Sequence, residues 1–193
     1  RIGELKKAIS GLGNINLDAV DEFQRVNERY TYLTDQRDDV QKSKKELEDI
    51  IAGITGEMKT IFARQFALLN EAFQQTFLEL FGGGKATLEL EDPEDILNCG
   101  IEIRVQPPGK ALKVLSLLSG GEKAFVAIAL YFAILKVRPT PFVVMDEIEA
   151  ALDDANVIRF ARYMRGMCDH TQFIVITHRR GTMEEADTLY GVT

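Results

Sequence analysis

Apolar residues recur at alternating spacings of three and four along the first third of the chain. Counted from Phe23, eleven of fourteen heptad a and d positions are apolar, and the residues between them are mostly charged or polar. These positions are Phe23, Val26, Tyr30, Leu33, Arg37, Val40, Lys44, Leu47, Ile51, Ile54, Met58, Ile61, Gln65 and Leu68. A narrow stripe of this length is typical of a coiled coil. Because no other segment here has a matching repeat, we expect the partner helix to lie outside this chain.

The same stripe changes character towards its end. Gly53 and Gly56 weaken the helix by about 1 kcal/mol each relative to alanine, and they mark either a joint or a tolerated defect. Farther along, the apolar stripe broadens, which predicts that the helix enters a globular body; the residues are Phe66, Leu69, Phe73, Phe77 and Leu80. We therefore predict a coiled-coil arm over residues 1–75 and a globular lobe over residues 76–193.

Beyond Gly82-Gly83-Gly84, which we expect to end the helix, the pattern changes. Residues 87–91 and 100–105 alternate apolar and polar side chains, as half-buried strands do, and an acidic loop around Pro93 joins them. From Leu117 the sequence predicts a loop, an apolar helix, a buried strand, a loop, a second helix and a second strand. Their expected ranges are residues 122–137, 142–145, 156–167 and 173–177. Strands that alternate with helices indicate an α/β fold with a parallel sheet.

Composition narrows the class of protein. The 193 residues are 46% apolar and carry a net charge of −7, which is ordinary for a folded protein and excludes a disordered or collagen-like chain. The acidic balance argues against a surface that binds nucleic acid throughout, although a local basic patch stays possible.

Cys99 and Cys168 form no disulfide framework and match no zinc spacing. The most apolar window, residues 124–137, is shorter than the roughly 20 residues that span a bilayer. Since Arg1 is not an initiator methionine, we expect a segment of a longer protein.

One glycine-rich run resembles a phosphate-binding loop without matching it. Gly82-Gly83-Gly84-Lys85-Ala86-Thr87 departs twice from the pattern G-x-x-x-x-G-K-[ST], because Glu79 stands at the first glycine and Ala86 replaces the hydroxyl. The run also follows a helix, whereas a phosphate loop follows a strand. We expect an ordinary helix stop and turn here.

A second glycine pair opens the apolar helix. In Leu118-Ser119-Gly120-Gly121-Glu122-Lys123 the glycines let the backbone approach a ligand closely, and the free N–H groups of the first helical turn favour an anion. Ser119 adds a hydroxyl donor. The alternative interpretation is a serine cap with a flexible approach to the helix, since serine favours that position strongly.

Candidate catalytic residues follow the two predicted parallel strands. Asp146 and Glu147 emerge at the end of the first, where open α/β sheets bind ligands. One carboxylate could hold Mg²⁺, and the other could orient or deprotonate a water molecule. His178 follows the second strand and could contact a terminal phosphate. His170 precedes that strand, and we expect it to have no role in chemistry.

The order of these motifs is more specific than any one of them. The whole series resembles the C-terminal half of an ABC-type ATPase. In chain order it consists of LSGGEK, the apolar helix, FVVMDE, Ala151-Leu152-Asp153-Asp154 and the strand that leads to His178. They match its signature motif, Walker B, D-loop and switch histidine. Ile148 stands where transporters usually carry proline, and residues 150–157 (AALDDANV) have the wording of the SMC (structural maintenance of chromosomes) family. The LGNIN run at residues 12–16, the PPGK run at 107–110 and residues 177–193 resemble its bacterial type.

The resemblance implies a fold, a function and partners. The fold class is α/β: the C-terminal lobe of an ABC-type ATPase head with a long coiled-coil helix. Walker A and the Q-loop would belong to the N-terminal half of the head, which is a separate segment in this family. Two heads would hold two ATP molecules between them, and their engagement would act on DNA in chromosome condensation and segregation. The implied partners are that N-terminal half, a second head in a homodimer, a kleisin subunit and DNA. The implied location is the cytoplasm, at the nucleoid, and no membrane is expected as a partner.

The resemblance also implies roles for individual residues. Asp146 would support Mg²⁺, Glu147 would act on the hydrolytic water and His178 would reach the γ-phosphate of ATP in their own head. The other group would reach ATP held by the opposite head: Ser119, Gly120, Gly121, Glu122 and Asp153. Glu122 departs from the glutamine of transporters.

Two alternatives stay open. Taken alone, the chain could be a non-enzymatic scaffold that docks the kleisin. It could also belong to an SMC-like DNA-repair ATPase, whose Cys-x-x-Cys apex would lie outside this sequence. The surface that contacts DNA cannot be read from the basic residues of the arm, because such charges on a coil are usually just solvated.

Overall fold

A computed structural model describes residues 1–11 and 18–192 of the chain. The LGNIN run at residues 12–16 lies outside the described residues. Two compact units are present, Arg1–Gly56 and Glu57–Thr193. The helices are α1 (Ile2–Gly11), α2 (Asp18–Phe81), α3 (Gly120–Val137), α4 (Asp154–Arg165) and α5 (Arg180–Met183), and a 3₁₀ turn covers Leu115–Leu117. The strands are β1 (Lys85–Leu90), β2 (Ile101–Gln106), β3 (Lys113–Val114), β4 (Phe142–Asp146) and β5 (Gln172–Ile176).

The first unit contains α1 and the beginning of α2, and its apolar stripe faces solvent. Phe23, Leu33 and Ile51 are 70%, 52% and 62% exposed. Such a stripe is left open because no described element of this unit buries it. This exposure agrees with a seam that needs a helix from another chain or segment.

Helix α2 runs through both glycines of the heptad region. The helix has no break at Gly53 or Gly56, although the division between the compact units falls directly after Gly56. Helix α1 is an element that the sequence analysis did not predict. Its signal is short: Ile2, Leu5 and Ile9 recur at helical spacing, and all three are exposed.

The C-terminal part of α2 belongs to the second unit and is buried there, as its broadened stripe predicted. Phe73, Phe77 and Leu80 are at most 1% exposed. The helix ends at Phe81, and the N–H of Gly83 then donates to the carbonyl of Leu78 at 3.1 Å, a bond that closes many helix C-termini.

Gly84 explains why the turn after α2 needs a glycine. Its φ is +90°, and a Cβ built there would lie 2.2 Å from the carbonyl oxygen of Gln106. No side chain fits that approach, so the glycine lets β1 begin directly beside the end of β2.

The two predicted half-buried strands are present, and they pair with each other. β1 and β2 are antiparallel, with Leu88 opposite Ile103, and the short β3 adds a third strand beside β2. The side-chain oxygen of Asn70 on α2 accepts a hydrogen bond from the N–H of Leu88 at 2.9 Å. This bond ties β1 to the helix that precedes it.

The second sheet is parallel, which confirms the predicted α/β arrangement. β4 and β5 pair in register, with Val143 opposite Phe173. Phe132 of α3 lies in the core, with its ring 5.8 Å from that of Phe160 on α4 and 6.4 Å from that of Phe173. Helices α3 and α4, which precede and follow β4, therefore pack on one face of the sheet.

The expectation that residues 142–145 are buried throughout was wrong for this chain. Val143 and Met145 are 5% and 2% exposed, but Phe142 and Val144 are 57% and 58% exposed. In a two-stranded sheet with helices on one side, alternate side chains point to opposite faces, so one face stays open. Helix boundaries also shift by about two residues, because capping side chains set them.

Candidate functional site

The first feature of the site is a strained turn at the end of β4. Asp146 is the last residue of the strand and lies opposite Ile176 of β5. The next residue, Glu147, has a φ of +46°, and its N–H donates to the carbonyl of Ile176 at 2.9 Å. A left-handed conformation is costly for a side chain other than glycine and is found most often where function needs it. The turn places both carboxylates at the C-terminal edge of the sheet.

The structure brings two of the expected catalytic residues together. Oε1 of Glu147 lies 3.2 Å from Nδ1 of His178, which follows β5. Both side chains are more than half exposed. A carboxylate and an imidazole at hydrogen-bond distance can position a water molecule and a phosphate oxygen on the same side of the sheet.

Asp153 caps the start of helix α4. Its carboxylate accepts hydrogen bonds from the backbone N–H of Asn156 at 2.8 Å and from the side-chain amide of the same residue at 3.1 Å. These bonds satisfy a free donor of the first helical turn. They also explain why α4 begins at Asp154, two residues before the expected start.

The glycine pair opens α3 close to the loop that leads to Asp153. A Cβ built on Gly121 would lie 3.0 Å from the carbonyl oxygen of Ala151. The structure therefore places the start of α3 beside this loop.

Ser119 is the cap of α3, as the alternative interpretation of the glycine pair expected. This role is compatible with the other interpretation, an anion-binding helix start. Its hydroxyl donates to Oε2 of Glu122 at 2.7 Å, and its N–H donates to the same oxygen at 3.1 Å. The N–H of Glu122 in turn lies 3.5 Å from the hydroxyl oxygen of Ser119. Gly120 and Gly121 lie in the first turn, where helical N–H groups have no partner within the helix. An anion can still bind at these groups.

Glu122 is held in the charged form. The ammonium of Lys110 donates to Oε1 of Glu122 at 2.7 Å. This bond, with those from Ser119, lowers the pKa of Glu122 from 4.5 to about 2. The PPGK run therefore supports the start of α3 through its lysine.

We predict that Lys110→Met raises the pKa of Glu122 by about 1 or more, because an opposite charge in direct contact shifts a carboxyl by about 1 to 3. A lowered pKa stabilises the folded chain fully above the ordinary glutamate value, and this stabilisation is lost as the pH falls towards 2. In the variant the stabilisation should be smaller, and its loss should begin at the same pH, which the unfolded chain sets, but be complete at a higher pH. Carbon-detected NMR titration of Glu122 measures the change, and Lys113→Met is the control. An unchanged titration would exclude the ion pair in solution.

The donor set at the sheet edge fits Mg²⁺ bound together with a phosphate. Within residues 1–11 and 18–192, no group of three or more His, Cys, Asp or Glu side chains could hold a metal ion by itself. Mg²⁺ usually needs only one or two carboxylates when phosphate oxygens and water complete its coordination. The carboxylate of Asp146 suits that arrangement.

Other expectations from the sequence concern residues outside the site. The GGGKAT run forms the helix stop and the start of β1, as expected, and follows a helix. Cys99 and Cys168 are free thiols. The N–H of His170 donates to the carbonyl of Met167 in a turn before β5. Among the described residues, no helix is long and apolar enough to cross a membrane.

Sequence reasoning missed a buried carboxylate next to the site. Glu149 has no exposed surface, and Oε1 of this residue accepts hydrogen bonds from the hydroxyls of Thr177 and Thr182. It also missed Arg179, whose guanidinium reaches the loop around Asp153. Neither residue has a local signal in the sequence. Glu149 lies in an acidic run that looks solvated, and the threonine hydroxyls that contact it are far away in sequence. The partners of Arg179 in the loop around Asp153 are equally distant in sequence.

Comparison with known proteins agrees with the geometry. The family model described as RecF/RecN/SMC N terminal domain matches residues 13–193. The chromosome partition protein Smc of Bacillus subtilis is 56% identical over all 193 residues, and the chain spans 16% of the length of that relative.

Two solved structures have the same fold. A chain from work on ATP-driven dimerization and DNA-stimulated activation of SMC ATPases is 44% identical, with a TM-score of 0.66, over 70% of this chain and 82% of that one. The Smc head domain of Pyrococcus furiosus, with an extended coiled coil and bound to the C-terminal domain of ScpA, is 41% identical. Its TM-score is 0.69, over 96% of this chain and 47% of that one. Together with the family match, these likenesses show that the chain belongs to the SMC family and has the α/β fold of an SMC ATPase head with its coiled-coil helix.

Proposed function

We propose that this chain is the C-terminal half of an SMC ATPase head, which binds and hydrolyses ATP only together with an N-terminal half that lies outside it. The observation that carries this proposal is the open face of the parallel sheet. Phe142, Val144, Ile174 and Ile176 are between 47% and 58% exposed. Parallel sheets are almost always covered on both faces in proteins. Another layer of protein must cover these side chains.

The missing phosphate loop supports the same conclusion. Lys85 lies at the start of β1, after a helix, and the run before it lacks the glycine and hydroxyl of the pattern. Walker A and the Q-loop would come with the N-terminal half. The exposed seam of α2 would likewise pack against the other arm of the coiled coil.

Three residues would act on ATP bound in their own head. Asp146 would hold Mg²⁺, which when bound neutralises phosphate charge. Glu147 would orient or deprotonate the attacking water, and its contact with His178 fixes the direction of the carboxylate. His178 would donate to the γ-phosphate. Phosphoryl transfer depends mainly on such positioning and on charge stabilisation.

A second set would bind ATP held by the opposite head. Ser119 offers a hydroxyl, and Gly120 and Gly121 offer helix N–H groups. Glu122 holds Ser119 in place by accepting hydrogen bonds from its N–H and its hydroxyl. Asp153 would stand at the same junction, in the loop whose Ala151 carbonyl lies close to Gly121. Since the site is divided between two surfaces, hydrolysis would report that two heads are engaged.

At the level of the whole protein, we propose a homodimeric SMC machine in chromosome condensation and segregation. Head engagement would drive DNA entrapment or translocation, in the cytoplasm at the nucleoid. The head of Pyrococcus furiosus binds the C-terminal domain of ScpA, and we propose a kleisin partner for this chain as well.

Reconstitution tests the proposal. Mixed with its N-terminal half, the chain should hydrolyse ATP, whereas each half alone should stay at the background rate, because neither holds a complete site. Phosphate release measures turnover, and gel filtration establishes that the halves have assembled. Normal turnover by this chain alone would refute the division of the site. An assembled but inactive pair would favour the scaffold alternative.

A further inference from the structure

Glu149 is a buried acidic residue to which the proposed mechanism gives no role. It lies in the loop after β4 and has no exposed surface. Oε1 accepts hydrogen bonds from the hydroxyls of Thr177 and Thr182, the latter at 3.0 Å. Oε2 is buried and has no hydrogen-bond partner within residues 1–11 and 18–192. Burying a carboxylate is costly, so a purely structural contact would be made more cheaply by an apolar side chain.

The hydroxyl of Thr177 extends this contact to His178. It donates to Glu149 and at the same time accepts a hydrogen bond from the N–H of Arg179 at 3.0 Å. Thr177 and Arg179 are the two neighbours of His178 in the chain. The hydroxyl therefore fixes the backbone on both sides of the histidine.

The same network reaches the loop that carries Asp153. The guanidinium of Arg179 donates to the carbonyl of Leu152 at 3.0 Å and to the carboxylate of Asp154 at 2.8 Å. These two residues flank Asp153. A continuous chain of hydrogen bonds thus runs from Glu149 past His178 to the loop around Asp153.

We propose that Glu149 is a positioning residue, which acts through Thr177 to hold His178 against Glu147 and in fixed relation to Asp153. This inference rests on the proposed function and deepens it. His178 would contact ATP in its own head, and Asp153 stands at the junction with the other. The network would therefore couple engagement of the second head to the geometry of hydrolysis in the first.

A carboxylate suits this task because one of its oxygens can accept from two hydroxyls at once. With its proton directed to Glu149, the hydroxyl of Thr177 presents its lone pairs to the N–H of Arg179. Without the carboxylate the hydroxyl can rotate, and the backbone around His178 loses one of its restraints. A displacement of about 1 Å at a reacting group can cost roughly a hundredfold in rate.

Thr177→Val in the full-length protein tests the inference while leaving Glu149 in place. We expect kcat to fall about tenfold or more, with the KM for ATP within about twofold of wild type, since positioning changes the chemical step more than binding. Thr177→Ser restores the hydroxyl and should recover most of the activity. Glu149→Met removes the acceptor oxygens, so it should lower kcat similarly and add little in combination with Thr177→Val, because both variants break the same chain of contacts.

Thr182→Val is the matched control. It removes the other hydroxyl bound to Glu149, but Thr182 lies in α5 and does not adjoin His178. We expect kcat within about twofold of wild type together with a comparable loss of thermal stability. Equal losses of kcat in both variants, or normal kcat in Thr177→Val, would overturn the inference. If both Thr177→Val and Glu147→Gln left turnover unchanged, the proposed function itself would fail. If Glu147→Gln were inactive while Thr177→Val had normal turnover, only the role of the hydrogen-bond network would be refuted.

Discussion

Glu147→Gln in the assembled head is expected to reduce ATP turnover by about a hundredfold to ten-thousandfold, the range that a general base contributes. The amide has nearly the same size as the carboxylate, and its oxygen can still accept a hydrogen bond from His178. It cannot take a proton from water. Binding of ATP should therefore persist while hydrolysis stops.

The same variant should trap ATP-bound, paired heads. Phosphate release measures the turnover, and light scattering with and without ATP measures the pairing. Glu102→Gln is the control, because Glu102 forms an ion pair with Arg104 in the antiparallel sheet, outside the proposed site. Turnover at the wild-type rate in Glu147→Gln would remove this residue from the mechanism, and loss of pairing would show that its role is in binding.

Ser119→Arg should abolish ATP-dependent pairing of heads and, with it, hydrolysis. The substitution removes the hydroxyl that would contact the opposite nucleotide and places a long cationic side chain on the contact surface. ATP binding to a single head should stay within about threefold of wild type, because the residues that hold that nucleotide lie elsewhere. Fluorescence titration with a labelled nucleotide measures binding, and light scattering measures pairing.

A second variant separates this effect from damage to helix α3. Ser119 caps the helix, and losing such a cap costs about 1 kcal/mol. Ser119→Asp keeps a good cap but puts a negative charge where a phosphate would lie, so it should also prevent pairing while α3 remains capped. Ser43→Arg adds the same cation to the exposed part of α2 and should pair normally. Should Ser119→Arg lose single-head ATP binding instead, the assignment to the opposite head would be wrong.

Local patterns were sufficient for the main elements of this chain, although not for α1, β3 and α5. The end of α2 at the three glycines, the antiparallel pair and the parallel pair all follow from residues close together in sequence. A helix stop depends on one residue with positive φ, and a strand depends on alternation over a few positions. The order of the motifs then indicated the SMC head, which the comparisons confirm.

Burial was the quantity that local patterns misjudged. Val144 looks like a core residue and is more than half exposed, whereas Glu149 looks solvated and is completely buried. Exposure depends on which layers of protein cover a face, and this chain contributes helices to only one side of the β4–β5 sheet. A hydrophobic run is typical of a strand covered on both faces, and it does not record which part of a protein covers each face.

The amino-acid order alone settled the fold class, the long seam of α2 and the candidates Asp146, Glu147 and His178, because these depend on spacing along the chain. Three-dimensional packing settled which side chains meet. Glu147 and His178 are 31 residues apart and lie 3.2 Å from each other, and Glu149 finds its hydroxyl partners directly after β5 and in α5. Such contacts form only when parallel strands bring their ends to one edge, since hydrogen bonds act over a few ångströms regardless of separation in sequence.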